Sequence, residues 1–219
     1  MKRQFLITAD GSTTIHLPEW NENYHSKHGA IQEAMHVFLK MGLSLFYDFK
    51  EVTILEVGFG TGLNAYLTLL DAQSKNLKVN YVGVEAYPVL FDEIKYFNFP
   101  EQLKKSKEVF EKLHTSDWET NTRINDIFKL KKRKQFFSEI SDENKFNLIY
   151  FDAFGPRVQP ELWTVDQFQI QFKSLQQKGV LVTYSAKGSV RRALQEVGFI
   201  VERLPGPPGK REMLRATKP

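Results

Sequence analysis

The sequence contains no cysteine. That excludes structural disulfides, cysteine-ligated zinc, iron–sulfur clusters and any thiol nucleophile. Long apolar runs are missing too. Stretches such as 147–151 and 179–183 fall far short of the roughly 20 residues that cross a bilayer. Met1-Lys2-Arg3-Gln4 leads directly into Phe5-Leu6-Ile7-Thr8 and Asp10-Gly11, without the apolar core of a secretory signal. A soluble cytoplasmic protein is therefore expected, with no membrane contact. Nor does one charge dominate, since 30 Lys and Arg face 26 Asp and Glu. The charge is uneven, however. Residues 187–219 hold eight Lys or Arg against three Glu, so this part is basic and the rest nearly neutral. A basic carboxy-terminal part suggests a polyanionic partner.

What is present is the composition of a globular chain, with 42% hydrophobic and 26% charged residues over 219 positions. That length fits one domain or one domain with an appendage. Phe5 and Ile7, then Thr13 and Ile15, alternate around Asp10-Gly11 and predict a hairpin. Residues 16–24 read as a loop. Between 29 and 46 the apolar positions have helical spacing, at Ile31, Met35, Phe38, Leu39, Leu45 and Phe46. From residue 51 a strand–helix rhythm begins. Strands are expected at 52–57, 80–85, 123–126, 146–151, 179–184, 199–204 and 211–217. Helices are expected at 63–72, 88–97, 164–175 and 190–197, the last closed by Gly198. This implies two parts: an extension over 1–50, formed by the hairpin and helix, and an α/β Rossmann-like domain over 51–219. Repeated strand–helix units give a parallel sheet covered on both faces. The last two strands leave no room for a helix and must pair antiparallel, the pattern of class I methyltransferases.

The chemistry concentrates at Glu56-Val57-Gly58-Phe59-Gly60-Thr61-Gly62-Leu63-Asn64. A buried strand runs into three alternate glycines and then a helix whose first N–H groups are free. The Gly-x-Gly-x-Gly spacing departs from the Gly-x-Gly-x-x-Gly of dinucleotide sites, and Glu56 would repel a pyrophosphate. S-adenosyl-L-methionine fits better, with Glu56 near its cationic end. Glu85 ends the second strand, where a carboxylate can hold ribose hydroxyls. Asp126 ends the expected third strand and is assigned to the adenine.

Asp152 follows the fourth strand in Phe151-Asp152-Ala153-Phe154-Gly155-Pro156. Ligands of such sheets bind beyond the strand carboxyl ends, so this acid would sit beside the transferred methyl. There it can orient an amine and take its proton. It could equally cap a turn. The histidines give no zinc pattern: His25 and His28 fall in a loop, and His36 and His114 read as surface residues. No metal is expected. Ser185 lacks the glycines of a nucleophile elbow.

Several motifs together carry a resemblance. They are Tyr24-His25-Ser26, Gly29, Glu33, Val37-Phe38-Leu39, the glycine loop through Asn64, Asp152-Ala153-Phe154-x-Pro156, Pro160-Glu161-Leu162-Trp163, Thr183-Tyr184-Ser185, Val190-Arg191-Arg192-x-Leu194, Gly198-Phe199 and Lys210-Arg211-Glu212-Met213-Leu214. The chain resembles the methyltransferase domain of the MnmC family over nearly its whole length. The resemblance implies S-adenosylmethionine-dependent methylation of the 5-aminomethyl group of wobble uridine in tRNA, giving 5-methylaminomethyl-(2-thio)uridine. Gly58, Gly60 and Gly62 would line the cofactor, Glu85 would hold its ribose, Asp126 would sit by the adenine and Asp152 would face the amine. Glu33 would lie near the site. Members also carry an FAD-dependent oxidase domain, so a separate oxidase acting upstream is implied here. For the anticodon region of tRNA, Phe154 and Trp163 are expected to offer faces to an unstacked base. Lys187, Arg191, Arg192, Lys210 and Arg211 are expected to meet phosphates. Two other readings stay open: a methyltransferase or aminopropyl transferase acting on a small amine, and a silent cofactor-binding module.

Overall fold

The computed structural model describes residues 2–219, so Met1 of the amino-terminal reading lies outside the described residues. The first three strands, β1 (Gln4–Ile7), β2 (Thr13–Leu17) and β3 (Glu22–Asn23), form a small antiparallel sheet. Phe5 pairs with Ile15 and Ile7 with Thr13, the register that the alternation requires. Asp10 closes the turn by accepting from Thr8 Oγ1 (2.7 Å) and the Ser12 N–H (3.1 Å). Residues 16–24, read as loop, contain β3. The next helix is interrupted. α1 (Ala30–Ala34) continues as a π-type turn over Met35–Lys40, and a separate 3₁₀ turn covers Leu43–Phe46.

The remaining strands and α-helices are β4 (Glu51–Val57), α2 (Leu63–Lys75), β5 (Lys78–Val84), α3 (Phe91–Ile94), α4 (Phe99–Gln102), α5 (Lys107–Thr115), β6 (Asn121–Arg123), β7 (Phe128–Arg133), β8 (Phe146–Phe151), α6 (Val165–Ser174), β9 (Leu175–Thr183), α7 (Gly188–Val197), β10 (Ile200–Pro205) and β11 (Glu212–Thr217). All eight strands from β4 onward join one sheet, in the order β10-β11-β9-β8-β4-β5-β7-β6. The five strands from β9 to β7 run parallel; β6 pairs antiparallel with β7, β11 with β9, and β10 with β11. This is the expected α/β sheet with its antiparallel ending. β4 and β8 are nearly continuous apolar runs because both their faces are covered. Ile54, Tyr81 and Tyr150 pack on one face with Ile15, Leu17 and Phe38 of the amino-terminal segment. Leu55, Ile149 and Phe151 pack on the other with Phe168 and Leu194.

Two expectations are corrected. The third parallel strand is β7, not 123–126, which overlaps the end of the antiparallel β6 and the turn after it. β7 reads Phe-Lys-Leu-Lys-Lys-Arg and buries Phe128, Leu130 and Lys132. Its third inward position is a lysine, which hides the alternation. Lys132 survives inside because Nζ donates to the His114 carbonyl (2.6 Å) and lies 5.0 Å from the Trp118 ring centroid. The helix expected over 88–97 shrinks to α3. Leu90 and Phe91 are 65% and 70% exposed, so no buried face sustains a longer one. Among the described residues no helix is long and apolar enough to cross a membrane.

β5 carries one glycine with a packing role. A Cβ on Gly83 would overlap the ring of Phe59, the residue between the first two glycines of the loop after β4. Gly83→Ala is expected to destabilise the fold by about 1–3 kcal/mol through overpacking and to displace that loop. Urea unfolding monitored by circular dichroism reads the first effect.

Candidate active site

The chain builds the sheet outward from β4 to β5 and β7, then crosses back to β8 and β9 on the other side. Such a reversal opens a crevice beyond the strand carboxyl ends. A cavity of about 1350 Å³ occupies this place. It exceeds the usual ~300–1,000 Å³ of a small-ligand pocket, so there is room for two ligands side by side. The central sheet supplies the floor. Trp20, Tyr24, His25, Ser26 and Glu33 of the amino-terminal segment supply another wall.

The glycine loop leaves β4 sharply. The Gly58 and Phe59 N–H groups both donate to the Val84 carbonyl, each at 3.0 Å. Gly58 has φ +97°, and a Cβ there would lie 2.7 Å from the Asp152 carbonyl oxygen. Gly60, at φ +48°, faces the cavity with Tyr24 as its nearest neighbour. Gly62 does not line the cavity; it packs against His114 and leads into α2. Glu85 follows β5 and lines the cavity, its two oxygens accepting from the Gly60 and Tyr87 N–H groups at 3.0 Å each.

Two histidines brace the loop at Thr61. His114 donates through Nε2 to the Thr61 carbonyl (3.1 Å). His25 Nε2 meets the Thr61 hydroxyl and its Nδ1 the Thr14 hydroxyl, both at 3.1 Å. Burial pushes both rings down to a pKa of about 4, so they are neutral near pH 7. His25 is thus no solvated loop residue, and His114 no plain surface residue.

Asp152 stands in the cavity wall. The Asn64 side-chain amide donates to Asp152 Oδ2 (2.8 Å) and to Glu56 Oε1 (2.9 Å). Glu56 is fully buried, and its Oε2 has no partner. It does not line the cavity and reaches it only through Asn64. Burial holds Glu56 well above the usual carboxylate range, with Asp152 adding to the effect. Asp152 itself is pushed up to about 7 by burial, against the opposing Asn64 hydrogen bond, with Glu33 raising it and Lys210 lowering it further.

Beyond Asp152 the wall turns aromatic. The Phe154 ring meets Trp20 and Tyr24 edge-on, at centroid distances of 5.5 and 4.9 Å. The Tyr184 hydroxyl donates to the Ala153 carbonyl (2.8 Å). Lys210 sits over the Tyr184 ring, 4.0 Å from its centroid, and pairs with Glu33. The Glu33 carboxylate also accepts from the Ser26 N–H (3.0 Å).

Three assignments are corrected. Asp126 precedes β7 instead of ending a strand, is 93% exposed and pairs with Arg123. It cannot touch an adenine; at the other end of β7, Phe136, Phe137 and Ser138 line the cavity. Trp163 is buried against Phe151 and Phe168, and its indole N–H donates to the Phe154 carbonyl (2.7 Å). It braces Phe154 and offers no free face. Lys210 is a cavity residue, not a rim contact. Lys187, Arg192 and Arg211 are exposed, Arg191 is half-buried, and none of the four lines the cavity. The sequence reading gave no site role to Trp20, Tyr24, Asn64 or Tyr184. For Asn64 a signal existed: a polar side chain two residues beyond the last glycine, in the first turn of α2.

Residues 97–219 match the model of a family described as S-adenosyl-L-methionine-dependent methyltransferases. The chain belongs to this family. It is 29% identical over 95% of its length to the "tRNA 5-methylaminomethyl-2-thiouridine biosynthesis bifunctional protein MnmC" of Polaromonas naphthalenivorans, and spans 34% of that protein. An uncharacterized protein of Methanocaldococcus jannaschii is 30% identical over 89% of this chain and 53% of its own. The crystal structure of MNMC2 from Aquifex aeolicus superposes with a TM-score of 0.84 at 28% identity, covering all of this chain and 71% of that one. The chain thus spans about a third of the length of the bifunctional relatives it matches.

The residues present suit the family's cofactor. Gly60 presents its backbone to the cavity without a Cβ, Glu85 places a carboxylate at the end of β5, and Glu33 and Asp152 add acidic groups to the lining. Gly60→Val would put a branched side chain at positive φ and into the cradle. The expected result is loss of S-adenosylmethionine binding with the fold retained, read by titration calorimetry.

The histidine brace carries a pH signature. In the folded protein both rings hold a proton only below about 4, against an ordinary 6.5. The unfolded chain therefore binds more protons between these values, and their contribution to stability is lost as pH falls from about 6.5 to about 4. His114→Asn should reduce the pH dependence of Tm across this window, as measured by scanning calorimetry.

Proposed function

We propose that this methyltransferase transfers the methyl group to the primary amine of a 5-aminomethyl group on wobble uridine in tRNA. The observation that carries the reading is Asp152, a carboxyl held by Asn64 between the glycine loop and an aromatic wall. Bound S-adenosylmethionine supplies a methyl group activated on a sulfonium. Asp152 orients the amine by accepting one of its N–H bonds, and takes the surplus proton as the N–C bond forms. A pKa of about 7 suits this role, since a general base works best when its pKa lies near the working pH. Trp20, Tyr24 and Phe154 offer apolar surface for an unstacked base and keep water away from the amine. Lys187, Arg191, Arg192 and Arg211 are available for phosphates of the anticodon stem. The names of the relatives add the substrate class, and a separate FAD-dependent oxidase would generate the aminomethyl group. A polyamine is a poorer fit, because two of the acids that line the cavity with Asp152 are already paired, Glu33 with Lys210 and Glu22 with Arg157.

The test is mass analysis of nucleosides from tRNA bearing 5-aminomethyluridine after incubation with the protein and labelled cofactor. Label should appear as 5-methylaminomethyluridine. Asp152→Asn should lower turnover ~10²- to 10⁴-fold with little change in cofactor affinity. Wild-type turnover should fall as pH drops through about 7, because Asp152 must be ionised to accept a proton. Near wild-type turnover in the variant would remove Asp152 from the role of base.

A further inference from the structure

We propose that Lys210 is a positioning residue whose ammonium group, fixed between Glu33 and Tyr184, favours the ionised form of Asp152 and the neutral form of the incoming amine. This deepens the reading of Asp152 as the proton acceptor for an amine, on which it rests. The geometry is specific. Lys210 lies on the turn between β10 and β11, which brings its side chain inward. Its ammonium is held by Glu33 Oε1 and sits 4.0 Å from the Tyr184 ring centroid. Glu33 is fixed in turn by the Ser26 N–H and Tyr184 by the Ala153 carbonyl. A lysine held by two such fixed partners cannot sweep the surface for phosphates. It is a fixed positive charge at the acceptor end of the cavity.

The charges around this point come from every wall. Glu33 stands on α1, Asp152 follows β8, Glu56 lies on β4 behind Asn64, Tyr184 follows β9, and Glu22 lies on β3, where it pairs with Arg157 (2.8 Å). Glu33 and Lys210 act on Asp152 with opposite signs. Lys210 is the cation of this set that bears on Asp152. Without it, Asp152 would face the unpaired charge of Glu33 in a partly dry site and would hold its proton more tightly. A fixed ammonium nearby also penalises an amine that enters as a second cation.

Both effects favour the same step. The amine lone pair forms the N–C bond, and the C–S bond breaks with its electron pair left on sulfur. The surplus proton on nitrogen then passes to Asp152. The step requires an unprotonated amine and an unprotonated carboxylate at the same moment, and one positive charge promotes both.

The test begins without substrate or cofactor. Aspartate labelled with carbon-13 at the carboxyl is titrated by NMR, with the Asp152 signal identified by its loss in Asp152→Asn. In Lys210→Met the Asp152 midpoint should move up on the order of one pH unit. In Lys210→Arg it should stay near wild type, and in Glu33→Gln it should move down. The opposite directions separate an electrostatic role from simple loss of packing. An unchanged midpoint in Lys210→Met, or equal upward movement in all three variants, overturns the proposal. The second arm is the pH dependence of methyl transfer to 5-aminomethyluridine tRNA. Its acid limb should move to higher pH in Lys210→Met and be restored in Lys210→Arg. If the titration shifts as expected but wild type leaves the tRNA unmethylated, the substrate reading falls and the assignment of Lys210 to Asp152 stands.

Discussion

One side-chain amide holds the site together. Asn64 has two N–H bonds to give, and it gives them to two carboxyl groups, on Glu56 and Asp152. Glu56 lies on β4 and Asp152 follows the adjacent β8, and burial, with Asp152 adding to it, raises the proton affinity of Glu56. A donor shared between them offsets part of the cost of burying both. Because Asn64 is fixed in the first turn of α2, the shared contact ties three things in one place: the end of the glycine loop, the first parallel strand and Asp152 in the cavity wall. Asp152 is also tied through the main chain, where its N–H donates to the Val57 carbonyl (2.9 Å) and its own carbonyl lies close to Gly58. Movement of the glycine loop is therefore movement of the acid.

The amino-terminal segment is the second half of this arrangement. The parallel sheet supplies glycines and acids, but a crevice beyond strand ends is open to water on one side. β1–β3 and α1 close it. Tyr24 lies against both Gly60 and Phe154, His25 holds Thr61, and Glu33 holds Lys210. Arg3 fastens the cover on the opposite side, donating to Glu93 (2.6 Å) and to the Tyr87 carbonyl (3.0 Å) just beyond Glu85. The shifted acidities of Asp152 and His25 are consequences of this closure, because burial is the largest cause in each.

Much of the framework was legible in the sequence because it rests on local rules. The Asp10-Gly11 hairpin, the strands around Gly58 and before Asp152, and the antiparallel ending follow from alternation, apolar runs and connection length. β7 was not legible, because an inward Lys132 breaks its alternation and is paid for by partners distant in sequence. That error moved Asp126 to the wrong end of a strand. Trp163 and Lys210 show a different limit. Residue type suggested an aromatic face and a phosphate contact, but side-chain direction depends on the Phe154 carbonyl in one case and on Glu33, 177 residues away, in the other. The aromatic residues that wall the cavity beside Phe154, Trp20 and Tyr24, lie in a segment whose residue types suggest no chemistry of their own.

The strand order has a consequence for synthesis. β11 lies between β9 and β10, although it is made after both. While the chain emerges, β9 carries an unpaired edge, and β10 has no place in the sheet until residues 212–217 have been added. A bare strand edge invites pairing with other chains, so the interval between translating β9 and translating β11 leaves the β9 edge open to such pairing. The turn that seats Lys210 forms in the same closing event. Lys210 lies between β10 and β11, so a chain lacking residues 212–217 has the glycine loop but not the β10–β11 pairing that frames Lys210.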